Sequence, residues 1–298
     1  MDKFLLLHFF SGRISFFPPF RQPLPMPDTD SLAGIVHYHK ARLHYTRTGS
    51  GSKVLLAFHG FGQSRAHLRP LAAQLSGRFT VYSFDLFYHG QSFWGDRENP
   101  LTKQVWKAML SQFLAEQKIG RFALAGYSLG GKFVLATLES FPDCITEIIL
   151  MAPDGIRTNF WYSLATYPVW AQRLFRGTVA KPQQFQTIAL WMRRLRFVDK
   201  GILRFAQSQM DTREKRHRVY FAWMVFRELA FDMNHIAALI NANLIPVILF
   251  VGKYDKIITA QNMQRLLGKV PGAQLIILEV GHTRLIEGVA EHYAKRGK

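Results

Sequence analysis

Six apolar runs of strand length are the feature that most limits what this 298-residue sequence can fold into. Runs with little polar alternation are typical of parallel β-strands covered on both faces. Helical patterns separate them, as in the apolar stripe from Leu101 to Leu114, with Thr102 near its start and Gly120 beyond its end. The alternation predicts an α/β fold with a mostly parallel sheet flanked by helices. The six runs lie at 53–58, 79–84, 121–127, 146–152, 246–252 and 273–280.

The sheet pattern is interrupted once, over residues 155–243. This stretch is rich in Trp, Tyr and Phe at helix-like spacing, and it predicts a helical cap inserted after the sixth strand. A cap there covers the carboxyl edge of the sheet, where open α/β folds bind ligands. Ahead of the first run, residues 34–38 and 41–47 alternate like a β-hairpin. We therefore expect a disordered or extended leader at 1–27, an α/β core at 28–154 and 244–298, and the cap at 155–243.

The amino-terminal segment and the cysteine content bear on where the chain works. The apolar stretch at 4–10 is interrupted by His8 and lacks a small-residue cleavage pattern, while a signal peptide or anchor remains the alternative to a disordered leader. A single cysteine, Cys144, excludes an intramolecular disulfide framework. No stretch reaches the roughly 18 apolar residues of a membrane span. We expect a cytoplasmic protein.

The segment "GYSLG" at 126–130 follows the third apolar run. A strand that turns into a helix within a couple of residues places Ser128 in a strained backbone conformation, and Gly126 and Gly130 give it space. The hydroxyl then projects above the sheet. The helix beginning at Leu129 directs its amide groups and positive dipole end to the same place, so we expect a substrate oxyanion to be stabilised there.

A serine hydroxyl reacts only when a base takes its proton and an acid orients that base. Loops after later strands face Ser128, and two of them carry suitable groups. Asp255 follows the fifth apolar run in "GKYDKI", and His282 follows the sixth in "GHTR". The order Ser, Asp, His is the one expected for this arrangement. Asp154, after the fourth run, stays an alternative acid.

The turn after the first apolar run offers a second backbone donor. In "HGFGQS" the glycines permit a turn whose Phe61 amide, together with that of Leu129, is suited to hold the negative charge that develops on a substrate oxygen. The segment "DLFYHGQS" makes a comparable turn after the second run.

These motifs resemble the α/β-hydrolase superfamily, the serine-nucleophile type with an inserted helical cap. The resemblance covers the chain from about residue 34 onward and rests on "HGFG", "DLFYHGQS", "GYSLGG", "GKYDKI" and "GH". It implies that Ser128 is the nucleophile, His282 the general base and acid, and Asp255 its partner, with the two amides named above as the oxyanion hole.

The sequence departs from the family pattern at two places. Phe87 and Tyr88 stand where a Pro-Gly pair is commoner, which alters a turn and leaves the chemistry unchanged. Asp154 stands where some members keep their acid. A serine nucleophile argues against the dehalogenase and epoxide-hydrolase branches, which need an ester-forming Asp.

The remaining histidines imply neither a metal nor a cofactor. His37, His39 and His44 fall in the predicted hairpin, where we expect solvated or paired side chains. His59 and His89 belong to turns near the predicted site, and we expect them to hold those loops by hydrogen bonds without moving protons.

The net charge of +18 is unusual, because 38 Lys and Arg stand against 20 Asp and Glu. Half of the excess falls between Gly155 and Asp232 in the predicted cap, which has 14 basic and five acidic residues. One interpretation is a weak contact with an anionic membrane surface or an acidic substrate. The alternative is a solvated helix face. No recognised nucleic-acid-binding module is present, so we expect no nucleic-acid partner.

The expected function is hydrolysis of a carboxylic ester, thioester or related acyl compound with an apolar acyl or aryl part, through an acyl-enzyme on Ser128. Two alternatives stay open. The same fold and side chains can serve a carbon-carbon bond hydrolase or lyase, and a catalytically silent member of the superfamily can act as a binding protein.

Overall fold

The computed structural model describes residues 32–96, 99–157, 160–180 and 208–296, so the predicted leader and residues 181–207 of the predicted cap lie outside the described residues. One eight-stranded sheet runs through the structure in the order β1-β2-β4-β3-β5-β6-β7-β8. The first two strands pair antiparallel and β2 joins β4 antiparallel, whereas all other neighbours are parallel. The predicted mostly parallel α/β sheet is confirmed. The strands are β1 Leu32–Tyr38, β2 Ala41–Thr48, β3 Lys53–Phe58, β4 Phe79–Phe84, β5 Phe122–Tyr127, β6 Ile145–Met151, β7 Val247–Gly252 and β8 Gln274–Leu278.

Helices connect the parallel strands. The helix after β4 begins where expected, because the Thr102 side chain accepts a hydrogen bond from the Val105 amide at its first turn. No helix in the described ranges is both long enough and apolar enough to cross a membrane. The helices are α1 Arg69–Leu75, α2 Lys103–Glu116, α3 Gly130–Ser140, α4 Phe160–Thr166, α5 Val169–Ala180, α6 Arg213–Val225, α7 Met233–Ala242, α8 Ala260–Leu267 and α9 Leu285–Arg296.

Both faces of the sheet are covered. Along β3, Leu56 and Phe58 pack into the core formed with α2 and α3, while Leu55 and Ala57 pack into the core formed with α1 and α9. This explains why the run lacks polar alternation. The edge strand β8 differs, since Ile277 is 54% exposed. An apolar run therefore does not by itself indicate a strand covered on both faces.

Helices α4, α5 and α6 lie in the chain between β6 and β7, where the sequence predicts a cap. Helices α5 and α6 share a small core of their own, which we call the cap cluster. Phe61, from the turn after β3, packs against both this cluster and the core formed with α2 and α3. The cap cluster consists of Val179, Met210, Val219, Tyr220 and Met224.

Helix α7 falls inside the predicted cap interval but packs on α3 of the core. Its buried side chains Met233, Ile236 and Ile240 belong to the core formed with α2 and α3. On this packing we propose that the inserted cap ends before Met233, about ten residues earlier than the sequence pattern indicates.

Candidate active site

Ser128 occupies the turn between β5 and α3 with a φ of +49°. Residues with a β-carbon rarely adopt this left-handed conformation, so the strain expected from the motif is present. The flanking glycines are required by space. A β-carbon on Gly130 would collide with the Phe58 carbonyl, and one on Gly126 would lie 2.6 Å from Cγ2 of Val134.

Backbone hydrogen bonds hold this turn against the end of β6. The Ser128 amide donates to the Met151 carbonyl at 2.9 Å, and the Ser128 carbonyl accepts from the amides of Gly131 and Asp154, both at 2.8 Å. The loop after β6 therefore supports the position of Ser128.

The imidazole of His282 lies between Ser128 and Asp255. Its Nε2 is 3.2 Å from the Ser128 Oγ, and its Nδ1 is 2.5 Å from Oδ2 of Asp255. Three side chains predicted from strand ends far apart in the sequence thus form one continuous hydrogen-bonded row. With Nδ1 donating to the carboxylate, Nε2 is the nitrogen left to accept a proton from the serine.

The Asp255 carboxylate is buried, and the backbone fixes its orientation. Its Oδ1 accepts hydrogen bonds from the amides of Ile257 at 2.8 Å and Ile258 at 2.9 Å. The Tyr254 amide donates to the Val280 carbonyl at 3.1 Å, which ties this loop to the one that carries His282. Because Oδ1 is occupied by backbone donors, Oδ2 is left facing the imidazole.

Asp154, the alternative acid, has different partners. Its Oδ1 accepts from the Gly155 amide at 2.8 Å, and its Oδ2 lies 3.9 Å from Nζ of Lys132. Lys132 itself is buried, with its ammonium 4.2 Å from the ring centre of Tyr162 in α4. Burial lowers the pKa of Lys132. The carboxylate next to His282 is therefore that of Asp255, whereas Asp154 forms an ion pair with Lys132.

The two predicted oxyanion donors lie on adjacent segments. Leu129 is the residue immediately before α3, and Phe61 lies in a turn closed by the Gln63 amide donating to the Gly60 carbonyl at 3.3 Å. The close approach of Gly130 to the Phe58 carbonyl brings the two segments together. The Phe61 ring packs edge-on against His89, with centroids 5.2 Å apart.

His59 and His89 hold the loops of the site together. The His59 Nε2 accepts from the Leu86 amide at 3.0 Å, and its Nδ1 donates to the Gly60 carbonyl at 2.7 Å. Burial lowers the pKa of His59 to about 4, so the ring is neutral at pH 7. His89 donates from Nδ1 to the Phe87 carbonyl at 2.9 Å, and burial lowers its pKa well below the usual range.

No three His, Cys, Asp or Glu side chains among the described residues are grouped as a metal ion requires. His37 and His39 lie exposed in the β1–β2 hairpin, and His44 is partly buried.

Two further residues were missed from the sequence. The Tyr127 hydroxyl donates to the His282 carbonyl at 2.7 Å, and Lys132 places a buried cation next to the turn. Lys132 has a detectable signal, because it is the only charge in the first nine residues of an otherwise apolar helix. Tyr127 has no such signal in the sequence, since an aromatic residue at the end of a buried strand is expected to be part of the core.

Comparisons with known proteins agree with the fold described above. A family model described as "alpha/beta hydrolase fold" matches residues 53–289. An uncharacterized protein of Mycobacterium tuberculosis is 29% identical over 139 residues, which is 46% of this chain but only 40% of that protein. A pimeloyl-[acyl-carrier protein] methyl ester esterase of Nitrosomonas europaea is 23% identical over 253 residues, covering 81% of this chain and 93% of that protein. The structure of a thermophilic esterase from Thermogutta terrifontis superposes with a TM-score of 0.65 at 18% identity, covering 89% of this chain and 97% of that chain.

Proposed function

Since the chain belongs to the family of proteins with the alpha/beta hydrolase fold, we propose that it hydrolyses a carboxylic ester, a thioester or a related acyl compound. The acyl or aryl part of the substrate is apolar, because Phe175, Tyr220 and Trp223 form an aromatic cluster against which Phe61, a proposed oxyanion donor, packs. No cofactor is needed for this chemistry.

The row of hydrogen bonds from Ser128 through His282 to Asp255 carries the proposal. A serine hydroxyl 3.2 Å from an imidazole nitrogen, with the other nitrogen 2.5 Å from a buried carboxylate, is the arrangement that activates a serine for attack on an acyl carbon. A purely structural serine has no need of a strained backbone or of a histidine oriented in this way.

In the first half of the reaction the Ser128 Oγ attacks the acyl carbon while its proton moves to Nε2 of His282. The resulting imidazolium is stabilised by Asp255, and the oxyanion accepts hydrogen bonds from the amides of Leu129 and Phe61. His282 then gives the proton to the leaving alcohol or thiol as its bond to the acyl carbon breaks. An acyl-enzyme on Ser128 remains.

In the second half a water molecule takes the place of the leaving group. His282 Nε2 removes one proton from that water as its oxygen attacks the acyl carbon, and the same two amides hold the new oxyanion. The carbon–Oγ bond breaks, the proton returns from Nε2 to Ser128, and the carboxylic acid departs. The site is then restored.

Two of the similar proteins are named for the kind of reaction proposed. The Nitrosomonas protein is named as a methyl ester esterase and matches over most of both chains. The Thermogutta neighbour is also named as an esterase.

Labelling with a fluorophosphonate probe, combined with a series of acyl esters and thioesters of graded chain length, tests the proposal. The wild-type protein is expected to be labelled and to turn over at least one ester, whereas Ser128→Ala is expected to lose both. Ser111→Ala, at an exposed serine in α2, serves as the matched control and is expected to keep both labelling and turnover. Equal labelling of wild type and Ser128→Ala contradicts the proposal.

A further inference from the structure

The outward face of α5 combines large apolar side chains with arginines. Val169 is 61% exposed, Trp170 62% and Leu174 56%. Soluble proteins rarely leave several large apolar side chains exposed side by side unless the surface contacts something. We call this surface the α5 face, and it consists of Tyr167, Val169, Trp170, Arg173, Leu174 and Arg176.

The helix cannot rotate to hide this surface. Its other side packs inward, with Val179 in the cap cluster and Phe175 against the rings of Tyr220 and Trp223. Trp170 and Leu174 are four residues apart, so they lie one above the other on the outward side. The Tyr167 hydroxyl donates to the Arg227 carbonyl at 2.8 Å, which fixes the start of the helix against the chain beyond α6.

The charge of this surface has one sign. Residues 160–180 contain Arg173 and Arg176 but no Asp or Glu. Both arginines are exposed on the same helix as Trp170 and Leu174. The whole chain carries a net charge of +18, which attracts it to anionic surfaces over a longer range. Charge and apolar exposure therefore coincide at the same place.

We propose that the α5 face docks on an anionic lipid surface. Trp170 and Leu174 enter the boundary between headgroups and acyl chains, where Trp is favoured, and Arg173 contacts lipid phosphates. Arg176 adds positive charge nearby, while its Nε donates to the Tyr220 hydroxyl at 3.1 Å. A helix of 12 residues is about 18 Å long, too short to span the membrane, so it lies flat on the surface. This docking is independent of the reaction proposed for Ser128.

Co-sedimentation with vesicles tests the docking. One set of vesicles is phosphatidylcholine alone and the other contains phosphatidylserine as well. The wild type is expected to bind the second set and to be released by added salt, because the attraction to the headgroups is screened. The double variant Trp170→Ser/Leu174→Ser is expected to bind at least about tenfold more weakly.

The matched control is Leu244→Ser. Leu244 is 86% exposed in the turn between α7 and β7, away from the α5 face, and its loss is expected to change vesicle binding by less than about twofold. Melting curves of all variants confirm that each is folded.

Two outcomes overturn the proposal. The first is that the wild type fails to bind phosphatidylserine vesicles, and the second is that the double variant binds as well as the wild type. If the first occurs and light scattering shows a dimer that only the double variant dissociates, the α5 face is a contact between two copies. The docking proposal is supported if only the double variant binds phosphatidylserine vesicles more weakly than the wild type, while its ester turnover in solution is normal.

Discussion

The hydroxyl of Tyr127 donates a 2.7 Å hydrogen bond to the backbone carbonyl of His282, a residue 155 positions later in the chain. Tyr127 directly precedes Ser128, so the strand that carries the proposed nucleophile also holds the loop that carries the proposed base. The two rings are 5.1 Å apart. Burial raises the pKa of Tyr127, so its hydroxyl stays protonated and remains a donor at neutral pH.

Removal of this hydroxyl is expected to loosen the position of His282. For Tyr127→Phe we expect kcat to fall about tenfold with little change in KM, and the free energy of unfolding to drop by about 1 kcal/mol. Tyr254→Phe is a matched control, because that hydroxyl bonds the exposed Glu279. Steady-state kinetics of both variants test this prediction. A kcat of Tyr127→Phe equal to that of the wild type contradicts a positioning role for the Tyr127 hydroxyl.

The second prediction separates the two candidate acids. Asp255→Asn is expected to lower kcat by about 10⁴-fold, because the amide cannot accept from Nδ1 in the productive tautomer or stabilise the imidazolium. Asp154→Asn is expected to retain most activity, since its carboxylate faces Lys132 and the Gly155 amide. Turnover of one ester by the two variants is the measurement. A larger loss in Asp154→Asn makes Asp154 the acid.

The third prediction concerns the buried Lys132. Burial lowers its pKa, so the charged lysine opposes folding at neutral pH, and this cost disappears above its ordinary pKa, when the group is neutral in both states. Lys132→Met is therefore expected to match or exceed wild-type stability at neutral pH, with the gain shrinking as the pH rises toward about 10 and absent above that pH. Asp154→Asn, which removes the counter-charge, is expected to cost about 1–2 kcal/mol. Urea unfolding of both variants tests this, and a large loss in Lys132→Met contradicts it.

The sheet and the row Ser128, His282, Asp255 could be predicted because each of these residues lies within about three positions after an apolar run, and parallel strands end at one edge of a sheet. What depends on contacts between distant segments could not be predicted. From the sequence, Tyr127 is expected to be an ordinary core residue, and only the structure shows its hydroxyl bonded to the His282 carbonyl. From the sequence, helix α7 is assigned to the cap. In the structure its apolar side packs on α3, and no local sequence pattern predicts that partner. Asp154 and Asp255 both follow strands, and only the packing of the loops decides which one meets the imidazole.

The fourth prediction is a loss of stability in acid that depends on His59. Its folded pKa of about 4 lies below its unfolded value, so the unfolded chain binds the extra proton first as the pH falls. The contribution of His59 to the free energy of unfolding is complete above about pH 6.5, and about 3 kcal/mol of it is lost by pH 4. In His59→Gln the decrease is expected to be smaller. Denaturant unfolding at several pH values measures it, and an unchanged slope in the variant rules out His59 as the cause.

The fifth prediction uses the backbone of Ser128 itself. Ser128→Ala and Ser128→Gly both remove the hydroxyl, but alanine keeps the β-carbon that is strained at a φ of +49°. Glycine relieves roughly 1–2 kcal/mol of that strain and loses up to about 1 kcal/mol through the greater freedom of its unfolded chain. Ser128→Gly is therefore expected to be as stable as Ser128→Ala or about 1 kcal/mol more stable. At Ser111, an exposed position inside α2, the order is expected to reverse, with glycine about 1 kcal/mol less stable than alanine. Thermal unfolding of the four variants compares the two pairs, and the same order at both positions would mean that Ser128 carries no backbone strain.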